Sequence, residues 1–197
     1  MSPIMTTESS SKLINDLKSV PSPVFYIFAA VALFACFFVQ GFGIPSIFTA
    51  LFLLCLVACA ASDINKGIVP DIIVIAIALL GLLRFAVVEG LYLPGIVPHL
   101  IGAVCISAPM FLMSLLIKGA FGGGDIKLMA ASGLYLGWRL TLAGAFLGLF
   151  ISGFYAIYLL LLRKVGSKSK IKLVPFLSIG LSVASLFGDV LLLFIFM

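Results

Sequence analysis

An all-α, polytopic transmembrane helical bundle of six to seven spans is the fold class this sequence predicts, on three observations. Of the 197 residues, 63% are hydrophobic and 10% are charged, and mean hydropathy is +1.35. Soluble domains carry about 25% charged residues, and a chain this small has too much surface to hide so much apolar material from water. The apolar residues fall into seven runs, and most of the cations lie in alternate gaps between those runs.

Residues 1–23 are polar and hold Lys12 and Lys18, which predicts a cytoplasmic N-terminal segment ahead of a transmembrane domain over 24–197. The run from Val24 to Val39 lacks a small-x-small exit and leads into another span, so a retained first helix over 24–40 is expected rather than a cleaved signal. A spanning helix needs roughly 20 apolar residues, and about 17 to 25 are tolerated. The second run, 44–62, is split from the first by Gly41-Phe42-Gly43-Ile44-Pro45. The third, 70–88, opens near Pro70 and the fourth, 98–117, at Pro98. A helix tolerates proline in its first turn, where the missing N–H has no partner to lose. The fifth, 126–138, is short for a full crossing. The sixth and seventh cover 140–162 and 173–195.

With the N-terminus inside, ten of the twelve basic residues fall on the inner side. They are Lys12 and Lys18, Lys66, Lys118 and Lys127, and the group from Arg163 to Lys172. This is the positive-inside pattern. It places the segments carrying Asp63 and Asp125 on one face. Arg84 is expected near an outer end, with its head snorkelling outward. The net charge of +5 is spread between apolar runs and fits topology better than nucleic-acid binding, which is not expected. Cys36, Cys55, Cys59 and Cys105 all lie in apolar stretches. None forms a CxxC pair or a Cys/His cluster, so no metal site and no cofactor is expected. Cys55 and Cys59 share a helix face and read as small buried residues.

Seven carboxylates can each be weighed. Glu8 and Asp16 belong to the polar N-terminal segment and read as solvated. Glu89 lies in an outer loop with Tyr92 and His99, and that His reads as a satisfied surface residue. Asp71 follows Pro70 in a first helical turn, where a carboxylate complements the helix dipole. Asp63 closes the apolar run Leu56–Ser62, and Asp125 follows Gly122-Gly123-Gly124 where the fifth run begins. Acidic groups at membrane depth are costly and mark function, with a snorkelling or capping carboxylate as the alternative for either one alone. Two on one face have a definite chemistry. Carboxylates held close together share a proton because both cannot ionise cheaply. The ionised member can activate water, and the protonated one can polarise a carbonyl and protonate a leaving amine. The glycines are expected to permit unusual backbone angles and close substrate approach.

The segment Gly122-Gly123-Gly124-Asp125-Ile126-Lys127-Leu128 resembles the GxGD signature of type IV prepilin peptidases, in its fuller form GGGD-x-K-L. Ser62-Asp63-Ile64-Asn65-Lys66-Gly67-Ile68-Val69-Pro70-Asp71 resembles the family's first aspartate motif. Gly133 to Trp138 resembles its Gly-x-x-x-Gly-Trp, and Lys172 to Gly180 its late Pro-Phe-x-x-x-Gly segment. The four motifs stand in family order over roughly residues 50–185. The resemblance implies an aspartic-type endopeptidase of the bacterial inner membrane. Such an enzyme cuts the basic leader from prepilins or pseudopilins on the cytoplasmic side, just before the pilin's apolar helix. It implies Asp63 and Asp125 as the catalytic pair, with Gly122, Gly123, Gly124 and Lys127 in support, and a GxGD loop that dips toward the bilayer. Lys127 either biases the charge of the pair or follows the positive-inside rule. Long members carry a cysteine-rich zinc loop and also methylate the new N-terminus. This sequence has no such loop and resembles the short form. It also departs from the family in having Val69 and Asp71 where Ile and Asn are usual. Asp189, in the last apolar run, has no counterpart in these motifs. An archaeal-type preflagellin peptidase or a more general GxGD protease would share the pair. From a different class, a small ion-coupled transporter or channel would use Asp63, Asp125 and Asp189 as an ion path. A catalytically inactive assembly factor is the third alternative, and the presence of both aspartates argues against it.

Overall fold

The structure is a computed structural model that describes residues 23–90, 93–117, 121–162 and 172–196. The N-terminal segment and Lys118, Arg163, Lys164, Lys168 and Lys170, expected on one face, lie outside the described residues, as does Tyr92. All regular structure among the described residues is helical. In chain order the helices are α1 (Pro23–Gln40), α2 (Ile44–Lys66), α3 (Asp71–Val88), α4 (Leu93–Cys105), α5 (Ser107–Leu116), α6 (Gly123–Leu136), α7 (Trp138–Leu161), α8 (Val174–Leu186) and α9 (Gly188–Phe196). Among the described residues four helical stretches are long and apolar enough to cross a membrane: α2, α3, α4 with α5, and α7. Helices α1 and α8 are apolar but shorter. The architecture is the multi-pass helical bundle that composition predicts, and its outward faces carry large apolar side chains such as Phe34, Leu83, Phe146 and Phe154.

The differences from expectation lie at helix ends and breaks. Helix α2 continues past residue 62 to Lys66, so Asp63 lies within its last turn. Gly67 stops it in the left-handed conformation (φ 66°), with its N–H donating to the Asp63 carbonyl at 2.8 Å. A left-handed stop of this kind favours glycine. Helix α4 starts at Leu93, so Pro98 lies inside it rather than at its start. A proline there leaves the Pro94 carbonyl without its intrahelical donor. The fourth run is broken at Ile106 into α4 and α5, and the seventh at Phe187 into α8 and α9.

Helix α6 has 14 residues, about 21 Å at 1.5 Å per residue. It is short for a crossing and is held inside the bundle instead. Glycines let neighbouring backbones touch it. A Cβ on Gly81 of α3 would lie 2.9 Å from the Tyr135 Cα, and one on Gly102 of α4 would lie 2.5 Å from the Gly133 carbonyl oxygen. Small residues at such crossings are how membrane helices pack closely. The C-terminal carbonyls of α6 are capped by side-chain N–H donors. Arg84 donates to the Tyr135 carbonyl at 3.2 Å and His99 Nδ1 to that of Leu134 at 2.9 Å. Glu89 balances both side chains, at 3.9 Å from Arg84 and 3.4 Å from His99. His99 is therefore a buried tie between α4 and α6, not the surface residue expected, and Arg84 turns inward onto α6 rather than snorkelling outward.

Candidate active site

Three helix termini converge where α6 begins: the end of α2, the start of α6 and the start of α8. Each brings polar backbone groups without intrahelical partners. On α2, Phe52, Leu56, Cys59 and Asp63 recur at helical spacing and are all buried. Asp63 thus continues an apolar stripe whose other members pack on Leu128, Met129, Val174 and Leu177. Phe52 stacks on Tyr135 of α6 with centroids 4.2 Å apart, which fixes α2 against α6 well away from the carboxylates.

Asp63 is only 7% exposed, and its Oδ2 has no hydrogen-bond partner among the described residues. A buried, unpaired carboxylate oxygen is costly. Such an orphan fits a position that a proton, a water or a substrate group completes. The backbone N–H of Val174, in the first turn of α8, faces the same carboxylate, and the Lys172 ammonium attracts it electrostatically. Lys172 also donates through Nζ to the Ile64 carbonyl, so one side chain caps the end of α2 and lends positive charge to Asp63. Sequence reasoning had counted Lys172 only among the topology-setting cations. Its place beside the late Pro-Phe motif was the available signal.

Asp125 is half-buried at the third position of α6, short of the membrane-crossing stretches. Its Oδ2 accepts the Gly122 N–H at 3.1 Å, while its own N–H donates to the Gly122 carbonyl at 3.1 Å. Burial pushes its carboxyl above the ordinary range, the Gly122 N–H pulls it back, and the Asp63 carboxylate pushes it up again. That last effect places the two aspartates within electrostatic reach of one another, as their common face predicts.

The three glycines divide by environment. None has a positive φ, so no unusual backbone angle is used here; Gly122 is extended (φ −75°, ψ 145°). What the site requires is room. A Cβ on Gly124 would lie 2.9 Å from both Cβ and Cγ2 of Val69, and one on Gly122 would lie 3.2 Å from Asp125 Oδ2. One on Gly123 would meet nothing within 4 Å. The tight positions are the two fixed glycines of a GxGD pattern, and the open one is its variable position. Val69 lies between Asp63 and α3, so the Gly124 contact sets the loop after the first aspartate against the helix carrying the second. A few residues away, Lys127 Nζ meets Asp71 Oδ1 at 2.8 Å, with both side chains more than half exposed. Lys127 therefore pairs with the start of α3, and the role that sequence left open for Asp71 is to hold it.

Among the described residues, no three His, Cys, Asp or Glu side chains converge closely enough to ligate a metal. Of the acids in the proposed ion path, Asp63 and Asp125 lie within electrostatic reach of one another, whereas the side chain of Asp189 lies outside the described residues.

Comparison with known proteins adds to this geometry. The sequence profile of the type IV leader peptidase family matches residues 50–157, a stretch holding both aspartates. A prepilin leader peptidase/N-methyltransferase of Bacillus subtilis is 27% identical over 172 residues, covering 84% of this chain and 68% of the relative. One from Aeromonas salmonicida is 31% identical over 138 residues, covering 68% of this chain and 47% of the relative. One from Aeromonas hydrophila is likewise 31% identical, over 137 residues. The chain thus spans about half the length of the Aeromonas relatives. No solved structure matches it.

Proposed function

This chain belongs to the type IV leader peptidase family, and from that premise we propose that it is a membrane-embedded aspartyl endopeptidase. It removes the basic leader of a prepilin or pseudopilin at the cytoplasmic face of the bacterial inner membrane, just before the substrate's apolar helix. The observation that carries the reading is that Asp63 and Asp125, 62 positions apart in sequence (125 − 63), lie within electrostatic reach of one another. Each lies at a helix terminus, and the first presents an orphaned oxygen.

The chemistry follows from the pair. Asp63 and Asp125 hold one proton between them and titrate as a unit. The ionised carboxylate takes a proton from water as the water oxygen attacks the scissile carbonyl. The protonated carboxyl hydrogen-bonds the carbonyl oxygen as it becomes an oxyanion. Collapse of the tetrahedral intermediate breaks the C–N bond. A proton from the pair goes to the leaving amine, which becomes the new N-terminus of the pilin. Lys172 lends positive charge beside Asp63, and the Gly122 N–H donates to the Asp125 carboxylate.

The test is cleavage of a co-expressed prepilin, read as a mobility shift. Wild type should cut it. Asp63→Asn and Asp125→Asn should each leave it whole while accumulating normally in the membrane. Normal cleavage by either variant would refute the paired mechanism and reopen the transporter reading.

A further inference from the structure

A lengthwise apolar groove of about 400 Å³ runs between α1, α2 and α8. Its walls are one face of each helix: Phe28, Val31, Ala32 and Ala35 on α1, then Leu53, Val57, Ala60 and Ile64 on α2. On α8 the wall is Ser178, Ile179 and Ser182. These positions recur at three- and four-residue spacing, so the groove lies along the helix axes. From Leu53 to Ile64 it follows eleven residues of α2, about 16 Å or three turns.

We propose that this groove seats the apolar helix of the substrate. The inference deepens the peptidase reading and rests on it. Three observations favour a helix as the occupant. First, the groove ends at Ile64, Asn65 and Pro175. Ile64 and Asn65 directly follow Asp63, and Pro175 is three residues from Lys172, which caps Ile64. A substrate with its scissile bond at the aspartates and its helix starting directly after that bond must run into the bilayer within a turn or so of this point. Second, six of the lining residues are small: Ala32, Ala35, Ala60 and Ala61 with Ser178 and Ser182. Small residues let a second helix approach closely in a membrane, where packing rather than water exclusion drives association. Third, the two serines among them are already satisfied within the protein. Ser178 Oγ donates to the Leu56 carbonyl at 3.2 Å, and Ser182 Oγ to the Ser178 carbonyl at 2.7 Å. The surface that remains matches an aliphatic helix face. The groove takes one such face and leaves the other toward lipid, so the occupant can slide in sideways and leave after cleavage.

The experiment uses the full-length Asp125→Asn enzyme in membranes with a co-expressed prepilin that it binds and does not cut. A benzoylphenylalanine replaces Ile179 in the groove or, as a control, Leu83 on the lipid-facing side of α3; both positions are about half exposed. Irradiation should give an enzyme–prepilin adduct from position 179 and none from position 83. Only enzyme–enzyme adducts at 179 would assign the groove to a second copy, and no protein adduct would assign it to lipid. Either result overturns the proposal, as do equal prepilin adducts from both positions. In the otherwise wild-type enzyme, Ile179→Trp should raise KM for the prepilin about tenfold, the scale of an overpacking penalty, with kcat little changed. Leu83→Trp should change neither constant. The two readings fail separately. A wild type that leaves the prepilin whole sinks the peptidase reading and this one with it. A wild type that cuts, with no effect at position 179, sinks only the groove.

Discussion

Replacing each of the three glycines before Asp125 with alanine should give three different results, and the structure sets their order. At Gly124 the new Cβ would lie 2.9 Å from Cβ and Cγ2 of Val69. Carbon atoms rest at about 3.5–4.0 Å, so the overlap is roughly 0.6–1.1 Å against two atoms. Overpacking of this kind costs about 1–3 kcal/mol. It is relieved by moving α6 away from the loop after Asp63, which is the motion that separates the carboxylates. A displacement of about 1 Å at reacting groups is enough for a loss of around 100-fold. Gly124→Ala should therefore reduce prepilin cleavage by about two orders of magnitude while the protein still accumulates. At Gly123 nothing lies within 4 Å, and no left-handed backbone resists a side chain. Gly123→Ala should stay within about twofold of wild type, as uncrowded surface substitutions do. Gly122→Ala, 3.2 Å from Asp125 Oδ2, should fall between them. Val69→Ala added to Gly124→Ala removes the Cγ2 overlap and leaves the Cβ one, so it should restore activity in part. The assay is the initial rate of leader removal in membranes normalised to enzyme content. Equal effects at all three glycines, or full activity in Gly124→Ala, would refute the packing account.

The Asp71–Lys127 bridge is exposed, and exposed pairs contribute little. Asp71→Lys alone should lower kcat/KM by less than about fivefold, and adding Lys127→Asp should restore it; failure of the swap to restore activity would show that the pair does not act by charge. Burial raises the Asp125 carboxyl above its ordinary value, so the fold favours its protonated form. Its contribution to stability is complete below the unfolded-state value and is lost as pH rises through the raised one. Asp125→Asn keeps an acceptor for the Gly122 N–H and cannot ionise. Its melting temperature in detergent should therefore gain on wild type as pH rises from about 4 toward 7, and a difference that does not change with pH would contradict this. Gly133→Ala would drive a methyl into the Gly102 backbone, where no side chain can yield. The steady-state membrane level of that variant should fall sharply, and normal accumulation would show that α4 and α6 do not meet as described.

The helices were legible in the sequence because a bilayer demands long uninterrupted apolar runs, and the gaps between those runs are charged or rich in Gly and Pro. The break at Ile106 carried a signal that was passed over: Ser107 and Pro109 follow it, and that proline lies in the first turn of α5. Pro98 misled because proline marks a helix start only when no turn precedes it. At the site, the aspartates were visible as costly groups in a cheap-to-read background. Lys172 was hidden among topology-setting lysines, because nothing local tells a cation that caps α2 from one that faces lipid headgroups. His99 was misjudged because its partner is the Leu134 carbonyl, 35 positions away. Of the two uses expected for the glycines, unusual backbone angles and close approach, the structure shows no positive φ and a missing Cβ at a close contact with Val69.

The slot that holds α6 also sets a timetable for the newborn chain. During synthesis α2 enters the membrane with Asp63 and no second carboxylate. Asp125 follows 62 residues later (125 − 63), roughly 3–12 s behind at 5–20 residues per second. It reaches its place only when α6 lies against Gly81 and Gly102. Lys172 and Val174, which complete the surroundings of Asp63, arrive later still. On the proposed reading, a half-made molecule therefore carries neither the proposed carboxylate pair nor the groups around it. The ribosome can deliver apolar helices into the same membrane, this chain's own among them, before any cutting centre exists to meet them.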